Sequence, residues 1–369
     1  MRKIIGIIIL IISLGVLLLA MNQSFMNKIK QDQYFDHLTA DNPGKHKLYY
    51  KAFVKTDRWR YGDLYGLCFL PQYKFALEPF KTYPANNKKP ATGNILYIIG
   101  DSFLADKTLA GAFDKFDNVI FLDRRFPFGP IKPDTTKNNY MLMEFAERNL
   151  VDYDLTKTPE IQWPQKNINA KNFDNPLVFQ PSSSLPTSIP DRAGTILFNK
   201  DLSRNLEILL FYNKIFTPFK EFKAYINYKL TGWLPKEVAV SSDKKRLLMN
   251  ITVDTSYRSS AFRNISDNEV KTISNNLNAA QNYYRSIGFK QVILSVVPNP
   301  VSIYDDKRMN YNHLLQRVEK NNKFTVNSLF DRYKGDDKNL YYRSDGHWNP
   351  YGLDTWVKTT NATLDPLIK

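Results

Sequence analysis

The chain has 369 residues, enough for one large α/β domain with insertions or one domain plus a small appendage, and its 43% hydrophobic and 14% aromatic content argues against an intrinsically disordered protein. Lys and Arg number 51 against 36 Asp and Glu, a net charge of +15, yet there is no dense basic block and no nucleic-acid motif, which argues against a nucleic acid partner. The excess reads either as biased, Lys-rich composition or as attraction to an anionic polymer of the cell envelope. A single cysteine, Cys68, excludes an internal disulfide and reads as a small buried core residue.

After Arg2 and Lys3, residues Ile4 to Met21 run without a charge. That is close to the roughly 20 residues a membrane-spanning helix needs. Leu18-Leu19-Ala20 lacks the first small residue of a small-x-small cleavage site, so the segment reads as an uncleaved anchor rather than a cleaved signal. Arg2 and Lys3 favour a cytoplasmic amino terminus, against Lys28 and Lys30 on the other flank, which leaves the main domain periplasmic or extracellular. No later stretch is long and apolar enough to span again. The expected organisation is therefore an anchor over 1–26, a lead-in segment over 27–90 packed on the domain, and a main domain over 91–369 with an insertion at about 150–250. Within the lead-in, Tyr61 to Pro71 is aromatic and glycine-punctuated, and Pro84 to Gly93 reads as a loop.

Asn94 to Gly100 is an apolar run that ends at Gly100-Asp101-Ser102, and Ala105 to Phe116 has roughly helical apolar spacing. This predicts a buried strand, a tight turn and a helix, the place where open α/β sheets bind ligands. Asn118 to Asp123 predicts a second strand, broken by Phe126 to Pro130, and Tyr140 to Phe145 a third, followed by Glu147-Arg148-Asn149. Strands alternating with helices imply a parallel sheet. Thr156 to Arg192, rich in Pro, Ser, Asn and Lys, is a long connection placed to overhang a site. Thr195 to Asn199 is a short strand candidate, Leu202 to Leu230 is helical with Pro218 dividing it, and Val238 to Val240 and Leu247 to Ile251 are further strands.

Ser266-Asp267-Asn268-Glu269 is a capping-box pattern ahead of Val270, Ile273, Leu277, Ala280 and Tyr284, with Gly288 as the stop. Gln291 to Val297 is a buried strand, Tyr311 to Lys320 helical, and Phe324 to Phe330 a strand entering a short helix. Asn339 to Arg343 leads into Asp345-Gly346-His347-Trp348, and a final helix starts at Gly352.

Two stretches carry chemistry. Ser102, at the end of a strand, is a candidate nucleophile. His347 is a candidate base, and Asp345 the acid that fixes its tautomer. The structural alternatives are a helix-capping serine, a turn histidine beside Trp348 and a turn aspartate bonding its own backbone. Asp101 reads as shaping the turn. An acyl-transfer site needs oxyanion donors beyond the serine N–H. Gly129, in the Phe128-Gly129 loop, and the Arg148-Asn149 turn are the candidates, with an ion pair between Arg148 and Glu147 or another acid as the alternative for the arginine. His37, His46 and His313 lack ligand-like spacing, so neither metal nor other cofactor is expected.

Gly100-Asp101-Ser102-Phe103 and Asp345-Gly346-His347-Trp348-Asn349 resemble the first and last motifs of the SGNH/GDSL hydrolase superfamily. The nearest likeness is to the SGNH-like domains of alginate O-acetyltransferase-type proteins. The likeness includes the Ser266-capped helix, the run from Val292 to Tyr304, and Glu147-Arg148 after the strand that follows the serine motif. The serine motif comes first here, as in most SGNH hydrolases and in the teichoic acid D-alanylation protein, and the glycine and Gly-x-Asn-Asp motifs of ordinary SGNH esterases are not evident. The resemblance covers roughly Lys89 to Gly352 without the inserted middle. It implies a three-layer α/β/α sandwich with a mostly parallel central sheet. It also implies a Ser102–His347–Asp345 triad, O-acyl transfer to an envelope or secreted polysaccharide, and a membrane-bound O-acyltransferase as partner. Hydrolysis of carbohydrate esters by the same triad, or a catalytically idle assembly protein, are the alternatives.

Overall fold

The computed structural model describes residues 2–36, 48–85, 91–105, 107–124, 131–157, 171–172 and 200–368. The chain divides into two compact units, one of residues 1–76 with 178–235 and the other of residues 77–177 with 236–369.

In the first unit, helix α1 (Arg2–Met21) is the one helix among the described residues long and apolar enough to cross a membrane. It is followed by α2 (Gln23–Asp36), and Asn22 caps the entry by accepting the Phe25 N–H at 3.0 Å. Two further helices, α3 (Leu202–Phe211) and α4 (Thr217–Thr231), fall within the predicted helical stretch. The break lies at Tyr212 to Phe216, so Pro218 opens α4 rather than interrupting it, which suits a residue with no N–H to donate. Ala20, Met26, Ile29, Ile208, Leu209 and Tyr212 form a small core, and the Asn205 amide donates to the Ala20 carbonyl at 2.9 Å. Cys68 is free and buried, and burial pushes its thiol up to about 11. Helix α4 leaves Phe219, Phe222 and Leu230 exposed, with Trp233 just beyond it.

The second unit is built on a six-stranded sheet. Strands β1 (Asn94–Gly100), β2 (Asn118–Asp123), β3 (Asn138–Ala146), β7 (Phe289–Val297) and β8 (Val326–Asn327) run parallel, and β4 (Lys171–Asn172) pairs antiparallel at one edge. The spatial order is β4-β2-β1-β3-β7-β8, while β5 (Val238–Val240) and β6 (Leu247–Met249) form a separate antiparallel pair. The central strands are apolar on both faces, as a parallel sheet covered by helices requires. Flanking helices α5 (Asp267–Ser286), α6 (Leu314–Asn321) and α7 (Pro350–Leu364) contribute Val270, Leu277, Tyr284, Leu315, Leu353 and Trp356 to the core. Helix α5 starts where the capping pattern places it: Ser266 Oγ accepts the Glu269 N–H at 3.2 Å. Glu269 itself turns to Arg263 at 2.5 Å instead of closing the box. Gly288 ends the helix at φ +115°, backbone that a side chain would strain.

The chain leaves β1 to β2 on one side and returns to β3 on the other. The chain reversal therefore sits at the carboxyl end of β1, where a crevice opens in such sheets.

The described residues of 105–116 do not form the predicted helix. Turns occupy the residues after Ser102, and one 3₁₀ turn spans Ala110–Ala112. The apolar residues Leu109, Phe113 and Phe116 are buried as the spacing requires, but the backbone bonds elsewhere. Gly111 N donates to the Tyr83 carbonyl at 2.8 Å and Tyr83 N to the Thr108 carbonyl at 2.8 Å. A Cβ on Gly111 would lie 1.9 Å from the Pro84 carbonyl oxygen. Pairing with a distant segment has replaced the helical ladder. Thr195 to Asn199 and nearly all of the 156–192 connection lie outside the described residues.

Gly111→Ala separates the two backbones by sign. In a helix it would stabilise by up to ~1 kcal/mol. Against the Pro84 carbonyl it should destabilise by about 1–3 kcal/mol or more in urea unfolding followed by circular dichroism.

Candidate active site

Strand β1 delivers Gly100, Asp101 and Ser102 to the carboxyl edge of the sheet. Gly100 has no room for a side chain: a Cβ would meet Glu144 Oε2 at 2.8 Å and Leu104 and Phe121 at 3.1 Å. That absence lets Glu144, on β3, reach across and accept the Asp101 N–H at 3.0 Å. Asp101 Oδ1 accepts the Phe103 N–H at 3.0 Å, a side-chain turn that wraps the chain around Ser102. Its other oxygen accepts from the Asn149 amide at 3.0 Å. Asp101 therefore shapes the turn, and the Ser102 N–H is left without a bond to any described residue.

The second half comes from a hairpin-like turn just before α7. Tyr341 and Trp348 form an antiparallel bridge, Tyr342 N donates to the His347 carbonyl at 3.2 Å, and Asn349 N donates to the Leu340 carbonyl at 2.9 Å. The Asn349 side chain caps α7 by accepting the Gly352 N–H at 2.9 Å. Tyr341 Oη donates to the Pro298 carbonyl at 2.5 Å, fixing this turn to the end of β7. In the loop so held, Asp345 Oδ1 accepts both the His347 N–H at 2.9 Å and His347 Nδ1 at 2.6 Å.

The two halves meet. His347 Nε2 lies 2.9 Å from Ser102 Oγ. An imidazole whose Nδ1 proton goes to Asp345 presents the lone pair of Nε2 to the serine hydroxyl, the arrangement needed for proton abstraction. The ring is also packed: Phe103 lies 4.9 Å from His347 and 5.0 Å from Trp348, centroid to centroid. Ser102 is half-buried, and the His347 side chain keeps 28% of its surface exposed, so both are open to solvent.

The remaining candidates separate. The Arg148 guanidinium lies 5.3 Å from the centre of the Phe103 ring, on the residue next to the serine. It makes no hydrogen bond to a described residue and is not paired with Glu147. The Asn149 amide is engaged on Asp101, so that residue orders the turn. Gly129 lies outside the described residues.

Two buried acids flank the site, and neither was singled out from the sequence as more than a neighbour. Burial, with the Asp101 carboxylate second, holds the Glu144 carboxyl well above the usual range, against the pull of the Asp101 N–H and of Arg124 and Arg148. Its position inside an apolar strand, Tyr140 to Ala146, is the signal that was available. Glu147 is fully buried and accepts the Asn299 N–H at 2.7 Å and the Ser302 hydroxyl at 2.8 Å, tying the end of β3 to the loop after β7. Burial pushes it up to about 7, against the pull of those bonds.

No family model, curated protein or solved structure matches the chain.

Glu147 makes stability pH-dependent. Because its folded-state affinity for a proton exceeds the unfolded one, its contribution is full below about 4.5 and declines as pH rises to about 7. Thermal melts of Glu147→Gln across pH 4.5 to 8 should lose that slope while keeping one acceptor for Asn299.

Proposed function

We propose that the chain is a serine-dependent O-acyltransferase working outside the cytoplasm, with an acyl-enzyme on Ser102 and a carbohydrate hydroxyl as acceptor. The observation that carries the chemistry is the continuous hydrogen-bonded line from Ser102 Oγ through His347 to Asp345, at 2.9 and 2.6 Å. The motif resemblance to the SGNH superfamily supports the choice of acyl transfer. A membrane-tethered polymer-modifying enzyme also suits the apolar α1 helix and the net charge of +15.

In this reading His347 Nε2 takes the Ser102 proton as Oγ attacks the acyl carbonyl of a donor. The carbonyl oxygen becomes an oxyanion facing the free Ser102 N–H and the Arg148 guanidinium. His347 returns its proton to the leaving group, and the acyl group stays on Oγ. A sugar hydroxyl then gives its proton to the same nitrogen, attacks the ester, and leaves acylated as Ser102 recovers its proton. Asp345 keeps the imidazole in one tautomer and stabilises its charged form at each step. A membrane-bound O-acyltransferase is the proposed source of the acyl group. The second reading is a carbohydrate esterase, favoured by the exposure of Ser102 and His347, which leaves the acyl-enzyme open to water.

The purified full chain should be labelled by a fluorophosphonate probe, and Ser102→Ala should lose the label completely. Turnover of p-nitrophenyl acetate should fall roughly 10³–10⁴-fold or more in His347→Asn and Asp345→Asn. Full labelling and unchanged turnover in these variants would reject the proposal. Acyl transfer to added oligosaccharide marks a transferase, and fast hydrolysis indifferent to sugar marks an esterase.

Arg148→Ala should lower kcat about 10²-fold with little change in KM, the signature of a lost oxyanion donor. A change in KM alone would reassign the arginine to substrate binding.

A further inference from the structure

The first unit holds a cluster that the acyl-transfer reading does not use. Arg58, Arg204 and Lys220 come from three separate segments and converge on one aromatic ring, Tyr212, at 4.9, 5.2 and 4.0 Å from its centre. Beside them is an open cavity of about 250 Å³ lined by Lys30, Gln33, Arg58, Trp59, Arg204 and Ile208.

Like charges gathered this way repel, and burial removes the water that would screen them. Among the described residues, Glu207 is the one carboxylate acting on both Arg58 and Lys220, and it is committed to Arg204 at 2.9 Å. Burial and the neighbouring guanidiniums push Lys220 down to about 8. Arg58 is stacked between Trp59 and Tyr212, and its Nε is buried with no hydrogen-bond partner among the described residues. The stacked guanidinium is fixed in orientation where it lines the cavity, so it is pre-organised for a ligand rather than wandering into solvent.

We propose that this cavity binds a phosphate group. A tetrahedral oxyanion has enough acceptors to engage two planar guanidiniums and the Lys30 ammonium together, and its charge relieves their mutual repulsion. A planar carboxylate offers only two oxygens to donors arriving from α2, the residue 58 segment and α3. The cavity lies below the roughly 300–1,000 Å³ of drug-sized sites, which fits a small headgroup or free phosphate rather than a whole nucleotide. Because the same unit contains α1 and the exposed Phe219, Phe222, Leu230 and Trp233, the phosphate of a membrane lipid is one source and a soluble phosphoryl compound the other.

The test uses the full chain in lipid-free detergent, with thermal stability read at matched ionic strength. Inorganic phosphate, acetate, phosphatidylglycerol and diacylglycerol are added separately. Phosphate or phosphatidylglycerol should raise Tm by several degrees, and acetate and diacylglycerol should not. A rise with free phosphate alone assigns a soluble ligand, and a rise with phosphatidylglycerol alone assigns a lipid headgroup. Arg58→Gln and Arg204→Gln should weaken apparent affinity for the effective ligand at least tenfold. If Arg58→Gln fails to fold, Arg204→Gln decides, because that side chain is half exposed and replaceable without a cavity. Phosphate and phosphatidylglycerol no better than acetate and diacylglycerol, or equal stabilisation of the folded variants, overturns the site.

Discussion

Both nitrogens of one imidazole are spoken for, by an acid two residues before it and by a serine 245 positions earlier in the chain. Everything that matters about the second unit serves this. The sheet order puts the end of β1 at a reversal of chain direction, Gly100 permits β3 to approach it, and the bridge between Tyr341 and Trp348 closes the turn that presents His347. Neither half is reactive alone: a serine hydroxyl is a weak nucleophile until a base of the right tautomer touches it.

The acids around the site divide by environment rather than by sequence. Asp345 stays at the half-exposed histidine, where a charge has a partner. Glu144 and Glu147 are shut inside, where burial raises their proton affinity and hydrogen bonds from backbone at the ends of β1 and β7 oppose that rise. They are best understood as struts. Each reaches from β3 to a neighbouring strand end and satisfies an N–H that would otherwise be stranded in the interior.

The buried strands were legible because apolar runs bounded by Gly, Asn or Pro have few alternatives in a chain this apolar. The pairing of Ser102 with His347 was legible from the two motifs, since few folded arrangements bring Gly-Asp-Ser and Asp-Gly-His together by chance. The stretch after Ser102 was not. Its spacing of apolar residues fits a helix, but periodicity records only which side chains are buried, and the backbone found partners at Tyr83 instead. The grouping of residues 178–235 with the amino-terminal stretch leaves no mark in the sequence either, because it rests on long-range contacts such as that between Asn205 and Ala20. Arg148 was visible as a candidate, but its freedom from Glu147 depends on that acid being drawn inward to Asn299 and Ser302.

Glu144 lies one step beyond the Ile99 and Met143 pair in the register between β1 and β3. A shift of a single residue would turn its side chain to the opposite face of the sheet and bring Met143 or Phe145 beneath the serine turn. Hydrogen-bonding chemistry at the Asp101 amide therefore proofreads strand alignment. A misthreaded chain would bury much the same hydrocarbon but lose the bond that holds the serine turn, so assembly of the Ser102–His347 contact and correct threading become a single event during folding.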